Sequence, residues 1–300
     1  MNLPQDLPSP ETPSATGWPW TSVCDPEKYA GSGTWPKISI ITPSYNQGHY
    51  LEQTIRSVLL QQYPNLEYIV IDGGSKDNSV AVIRKYSPWI HFWVSEPDAG
   101  QTDALRKGFA LATGEIIAWI NSDDFYEQGS LYRVASLYKT TGFTFLCGAC
   151  RMIDPDGRLI RELYTRQVSY RTLIRYWRPH FCPPQPSIFF QRAVLDVLGD
   201  LDVQLQYAMD FDLWLRASKQ YAFTHIRDNI SFYRVHTDSK TGSTGGLGKF
   251  VPEWKMLIGK SLRQESLWTR WSYYAEELGF RVRKAIRRLL AGHDLKRMLK

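Results

Sequence analysis

Trp119-Ile120-Asn121-Ser122-Asp123-Asp124 is the point where a hydrophobic run stops at two adjacent carboxylates. The run, residues 115–120, reads as a buried strand, which puts both acids at its C-terminal end. In open α/β sheets ligands bind at that edge. Neighbouring carboxylates there repel unless they are solvated, paired or bridged by a cation. Hard oxygen ligands suit Mg²⁺ or Mn²⁺, and such ions usually also hold a substrate phosphate. Metal-assisted handling of a nucleotide diphosphate is one reading. A strand followed by a polar turn is the other, since Asn, Ser and Asp are all turn formers.

Upstream of this stretch the pattern alternates strand and helix from Lys37 onward. Ile38-Ser39-Ile40-Ile41 reads as a strand, and Leu51, Ile55, Val58 and Leu59 fall at helical spacing. Residues 66–71 form a second apolar strand ending at Asp72, 80–86 a helix, 90–94 a third strand and 102–112 a helix. Near-continuous apolar strands separated by helices predict an α/β fold: a Rossmann-like, mostly parallel sheet flanked by helices. Downstream, Asp154-Pro155-Asp156-Gly157 predicts a hairpin turn between 150–153 and 158–163. Residues 170–235 mix short helices and strands, and 251–300 read as a helical C-terminal extension. Three regions result: a flexible Pro- and Ser-rich leader (1–35), a catalytic-type domain (36–245) and a basic tail (246–300).

Composition narrows the classes. Hydrophobic residues make up 43% of the 300 and charged residues 22%, ordinary for a globular protein. The net charge of +6 is uneven: residues 251–300 carry +7 and the other 250 carry −1. A basic tail on a neutral body does not suit a nucleic-acid-binding core, and no nucleic-acid partner is expected. Cys147 and Cys150 have metal-ligand spacing, but no second pair or nearby His follows, so buried thiols in a reducing compartment are the better reading. The first 20 residues do not form a signal peptide and no apolar run reaches transmembrane length. A cytoplasmic location is expected.

Four strand ends carry polar clusters: Thr42-Pro43-Ser44-Tyr45-Asn46, Asp72-Gly73-Gly74-Ser75, Glu96-Pro97-Asp98-Ala99-Gly100-Gln101, and Asn121-Ser122-Asp123-Asp124. In a parallel sheet all four lie on one edge. Together with Asp103-Ala104, Lys107-Gly108, Gln185-Pro186, Asp210-Phe211-Asp212-Leu213-Trp214-Leu215-Arg216 and Tyr233-Arg234-Val235-His236, they make residues 37–240 resemble glycosyltransferase family 2, whose fold is termed GT-A.

The resemblance implies an inverting, hexosyltransferase-like enzyme moving a sugar from a nucleotide diphosphate donor, with UDP-sugars expected. The acceptor would be a hydroxyl in polysaccharide, cell-envelope glycan or glycolipid synthesis, with a glycan or lipid-linked molecule as partner. It implies that Asp72 accepts a hydrogen bond from the uracil ring, that Pro43 and Tyr45 line the base pocket, and that Asp98 and Asp103 face the ribose and diphosphate. It implies Asp123 and His236 as ligands of Mn²⁺ or Mg²⁺ and Asp210 as the general base that deprotonates the acceptor. Two positions depart from the family pattern. Asn121 stands where the metal motif has its first Asp, leaving it to hydrogen-bond sugar or ribose, with Asp124 as a supporting or alternative ligand. Met209 stands where the pattern before Asp210 has a second acid. Gln185 and Pro186 would border the acceptor pocket or form a plain turn.

Rival readings are weaker. A nucleotidyltransferase begins with a Gly-rich basic loop, whereas 42–48 hold one Gly and no Lys or Arg. A dehydrogenase requires a Gly-x-Gly-x-x-Gly turn that does not follow the first strand. The alternative from another class is a catalytically silent nucleotide-sugar binder or scaffold, kept open by Asn121 and Met209. In the tail, Leu278, Val282, Ile286, Leu289 and Leu290 form a stripe flanked by Arg281, Arg283, Lys284, Arg287 and Arg288. Such a helix (278–300) either lies peripherally on the inner face of the plasma membrane or packs its stripe on the domain.

Overall fold

The computed structural model describes residues 7–10, 15–30, 33–164, 167–179, 181–243 and 246–298, with the backbone alone for Leu247 and residues 287–298. Its first half repeats a strand–helix unit: β1 (Ile38–Ser44), α1 (Gly48–Leu59), β2 (Leu66–Asp72), α2 (Ser79–Tyr86), β3 (Phe92–Ser95), α3 (Gln101–Leu111) and β4 (Ile116–Trp119). The second half contains β5 (Phe125–Tyr126), α4 (Ser130–Thr141), β6 (Phe145–Ile153), β7 (Leu159–Leu163), α5 (Tyr170–Leu173), β8 (Ile188–Gln191), α6 (Ala193–Leu198), α7 (Met209–Ala217), β9 (Phe223–Arg234), α8 (Val251–Leu262) and α9 (Leu267–Met298).

Among the described residues one sheet runs β3-β2-β1-β4-β8-β6-β9-β5, with β7 on β6. Strands β3, β2, β1 and β4 are parallel, as their unbroken apolar runs predict. The remainder is mixed: β8 opposes both β4 and β6, while β9 runs parallel to β6 and antiparallel to β5. The predicted hairpin is β6–β7, with Gly157 supplying a left-handed turn at φ 85°.

The period-two alternation of the strands feeds a core on each face. Ile38, Ile40, Tyr68, Val70, Ile116 and Ala118 face α1, α2 and α4 through Leu51, Ile55, Val58, Val82, Ile83, Leu131 and Val134. Ile41, Ile69, Ile71, Ile117 and Trp119 face α3, α7 and α8 through Leu105, Phe109, Trp214, Trp254 and Ile258. The first helix of the C-terminal extension is therefore part of the core. Cys147 and Cys150 are buried free thiols in β6, as expected.

The segment read as a flexible leader differs from that expectation where it is described. Buried Arg56 of α1 donates to the carbonyls of Pro8, Pro19 and Trp20, and Trp18 Nε1 donates to the Tyr126 carbonyl at 2.7 Å. Tyr29 and Trp35 join Tyr63 in an edge-to-face cluster. The covering segment is irregular, so it has no periodicity to read. Residues 1–6, 11–14 and 31–32 of the leader lie outside the described residues.

Strand order positions the site. The chain leaves β1 toward β2 and β3, then returns across β1 to β4, so successive loops diverge at the β1/β4 boundary. That opens a crevice above the strand ends. Pro43 shows the same boundary: β4 pairing stops at Ile41↔Trp119, so the amide hydrogen that proline lacks is not needed on that side.

Candidate active site

The loop after β4 is organised around Asp124. Its carboxylate is wholly buried, accepting from the Arg234 backbone N–H at 2.9 Å and from Asn121 Nδ2 at 3.3 Å. Burial, then the adjacent Asp123 charge, pushes its pKa well up. Asp124 therefore anchors the loop and leaves Asp123 as the open acid of the pair. Pairing of Phe125 with Phe232 places the end of β9 against this loop. Arg234, itself buried, donates to the carbonyls of Asp123, Asp154 and Pro155 and to Gln53 Oε1. Two residues on, His236 Nε2 lies 3.0 Å from Asp123 Oδ2, with the Tyr50 ring 4.8 Å from the imidazole. The predicted pair is thus brought together from 113 residues apart.

Asn121 does not reach out as a ligand. It accepts from Gln101 Nε2 at 2.7 Å and donates to Gln185 Oε1 at 3.2 Å, besides Asp124. Gln185 in turn donates to the Trp119 carbonyl at 2.8 Å. This amide chain ties the ends of α3 and β4 to the loop before β8, so the neutral side chain performs cross-bracing that a carboxylate could not, since it requires both a donor and an acceptor.

On the β1–β3 side stands Asp72, expected to read the base. It is wholly buried, and its oxygens accept from Gly74 N, Ser75 N, Ser75 Oγ and Ser95 Oγ. Three of these bonds fall on Oδ2 and one on Oδ1, so the carboxylate ties its own loop together. The neighbouring acid at the surface is Asp98, whose carboxylate lies where a side chain on Gly73 would stand, 2.8 Å from a built Cβ. Burial raises the Asp98 pKa, against a hydrogen bond from Gly100 N. Gly100, at φ 108°, allows the chain to turn from Asp98 into α3. Asp103 accepts from Ala99 N at 3.2 Å and sits 3.6 Å from Lys107 Nζ, as a first-turn acid that braces the same loop. Tyr45 is 61% exposed beyond β1, open to stacking, whereas Pro43 is buried within the strand and lines no open surface.

Asp210 begins α7. Trp214, one helical turn later, stacks on Trp119 at 5.4 Å and 17°, fixing α7 to the strand that leads to Asp123. Burial lifts the Asp210 carboxyl to about 6, against the 2.7 Å hydrogen bond from Phe211 N and the nearby Lys240 charge. Burial, then the charges of Asp124, Asp123 and Asp210, raises the pKa of half-buried Tyr233. Glu253 of α8 accepts from Gln206 N, Tyr207 N and Ala208 N at 2.8–3.0 Å, capping the entry to α7. Met209, at the departed position, is buried in the core.

Tested against these residues, a divalent cation fits a two-donor set. Asp123 and His236 converge, while Asp124 and Asn121 are engaged elsewhere. Among the described residues no three His, Cys, Asp or Glu side chains form a metal-holding group. A carboxylate and an imidazole suit Mn²⁺, with remaining positions open to phosphate oxygens and water.

Sequence reasoning assigned no role to Glu253, Tyr50 or Gln101, and left Arg234 as part of a motif. Arg234 could have been found from its position between a strand end and His236. Nothing local marks Glu253, which acts on a helix more than 40 residues away.

Residues 39–198, just over half of the chain, match the family described as Glycosyl transferase family 2. An uncharacterized glycosyltransferase of Mycobacterium tuberculosis is 42% identical over 195 residues, 61% of this chain and 69% of that one. Across the first such bacterial relatives, this chain spans 65–74% of their length. S. aureus TarS 1–349 in complex with UDP-GlcNAc superposes with a TM-score of 0.62 at 19% identity, covering 77% of this chain and 68% of that one. The mannosyltransferase PcManGT of Pyrobaculum calidifontis, in complex with GDP-Man and Mn²⁺, gives 0.53 at 16% identity over 89% and 85%. The structural likenesses show the fold, a curled sheet flanked by helices as in GT-A enzymes. With the matched span and the relatives' identity, they lead to one conclusion: this chain belongs to glycosyltransferase family 2.

Proposed function

We propose that this glycosyltransferase moves a sugar, with inversion, from a nucleoside diphosphate donor, UDP-linked in the first instance, to a hydroxyl of a glycan or lipid-linked acceptor in envelope polysaccharide or glycolipid synthesis. The observation that carries the reading is the Asp123–His236 pair above the β1/β4 crevice with Asp210 held at the start of α7. With its pKa at about 6, Asp210 is ionised at neutral pH yet more basic than an ordinary carboxylate, as suits a general base. It would take the acceptor hydroxyl proton as the oxygen bonds to the anomeric carbon, on the face opposite the departing diphosphate.

Asp123 and His236 would hold Mn²⁺ or Mg²⁺, which when bound neutralises charge on the leaving diphosphate. The Mn²⁺ and GDP-Man of PcManGT and the UDP-GlcNAc of TarS support a nucleotide-sugar donor and a divalent ion. Tyr45 would stack on the base, and Asp98 and Asp103 would face the ribose and diphosphate side. Four free cysteines suit the reducing cytoplasm, with the inner membrane face as the place of reaction for a lipid-linked acceptor.

Calorimetric titration of UDP, GDP and dTDP, with and without Mn²⁺, tests the donor site. Metal-dependent UDP binding, followed by UDP-sugar turnover that Asp210→Asn lowers by about a hundredfold or more, is the expected result. A folded protein that binds none of the three nucleotides would sink the proposal.

A further inference from the structure

Helix α9 has two apolar faces that point in opposite directions. One is packed: buried Tyr273 and half-buried Phe280 meet Trp177 at 5.3 and 6.1 Å, and Glu276 takes Arg175 and Arg178 in ion pairs of 2.6 and 2.7 Å. The other comprises Leu267, Trp268, Trp271, Tyr274, Leu278, Val282 and Ile286, each between 48% and 80% exposed. Their spacing keeps them on one side of the helix for about 30 Å at ~1.5 Å rise per residue. At 100° per residue the stripe lies opposite the Tyr273–Phe280 face, so it points away from the domain. Packing of the stripe on the domain, one of the two readings of the sequence, is thereby excluded for the described side chains, which do not include those of Leu289 and Leu290. The stripe also begins earlier than the sequence suggested, at Leu267. No helix of the described residues is long and apolar enough to cross a membrane.

A contiguous apolar face of this length marks an interaction surface. Its charge chooses the partner. Arg270 and Arg281 line one edge and Arg283 the other, and α9 as a whole holds eight Lys/Arg against three Asp/Glu. A second copy of the chain would bring the same basic edges together, which disfavours self-association. An anionic bilayer answers both features, since the aliphatic and aromatic side chains enter the acyl boundary and the guanidinium groups meet lipid phosphate. Stacked Trp268 and Trp271, 5.2 Å apart, are of the type that settles at the headgroup level. We infer that the Leu267–Ile286 face of α9 docks this protein, in the plane of the surface, on membranes rich in anionic phospholipid. This inference does not depend on the proposed transfer reaction.

The full chain should co-sediment with phosphatidylglycerol-containing vesicles and not with pure phosphatidylcholine vesicles, and high salt should weaken binding. The double variant Trp268→Ser/Trp271→Ser should lower partitioning by roughly tenfold or more while leaving nucleotide binding and melting temperature unchanged, since both side chains are exposed. The variant Arg270→Glu/Arg283→Glu should reduce binding to anionic vesicles specifically. Absence of vesicle binding by the wild type, equal binding by the Trp variant, or a wild-type dimer that the Trp variant converts to monomer would each overturn the inference.

Discussion

Replacing Asp210 by Asn should cut turnover sharply and stabilise the fold. The native environment lifts the carboxyl from 3.8 to about 6, chiefly by burial. At about 1.36 kcal/mol per pKa unit, that difference corresponds to roughly 3 kcal/mol of strain from keeping the group ionised. Because the folded-state pKa lies above the unfolded one, the wild type is favoured most below pH ~4 and loses that favour as pH rises through about 6. Asn is neutral throughout and retains an oxygen for the Phe211 N–H. At pH 8 the variant should therefore exceed the wild type by about 1 to 3 kcal/mol, the lower figure applying because the side chain is only partly shielded from water. At pH 4 the two should coincide. The rate should fall about 10²- to 10⁴-fold, the usual contribution of a general base. In the wild type, kcat/KM should decline about tenfold per pH unit below pH ~6. Urea melts at several pH values, paired with a UDP-release assay, read both quantities. A variant that is less stable at pH 8, a stability difference indifferent to pH, or turnover within twofold of wild type would refute the reasoning.

Asp123→Ala should remove the Mn²⁺-dependent part of nucleotide binding, read by calorimetry, while metal-free affinity changes less than about threefold; an intact metal dependence would move the ion elsewhere. Glu253→Ala leaves three backbone N–H groups at the entry to α7 without their acceptor, so kcat should fall about tenfold or more with donor KM nearly unchanged; Glu253→Gln, which keeps an acceptor oxygen, should recover part of the loss, and a KM effect of equal size would contradict a role through Asp210. Burial pushes the Glu67 carboxyl up, but hydrogen bonds from Lys37, Ser39 and Thr113 outweigh it and hold the group at about 2. Its contribution is present above the ordinary carboxylate range and is lost as pH falls toward 2, so Glu67→Gln should cost about 1 to 3 kcal/mol at pH 7 and progressively less in acid melts.

Local patterning carried the first half of the fold. Strand β1 alternates between two cores and α1 repeats its apolar residues every three or four positions, so each announces its state without reference to the rest of the chain. The same holds for the hairpin turn at Asp154–Gly157 and for the convergence of four polar loops on one sheet edge. Asp123, Asp210 and His236 were marked by the resemblance to the family's motifs rather than by spacing alone. What the sequence could not separate was an acid that faces the crevice from one that ties its own loop together. Asp72 and Asp98 look alike in a strand-end loop, yet four hydrogen bonds close around the first while the second stands in the space left by Gly73. Asn121 likewise reads as a weakened ligand but braces Gln101 and Gln185. The leader's contacts, the mixed order of β8, β6, β9 and β5, the cap that Glu253 places on α7 and the outward turn of the α9 stripe were settled by the tertiary structure. Each joins groups distant in sequence through hydrogen bonds or packing whose partners are chosen by strand register and helix placement, and neither is encoded in the neighbourhood of either residue.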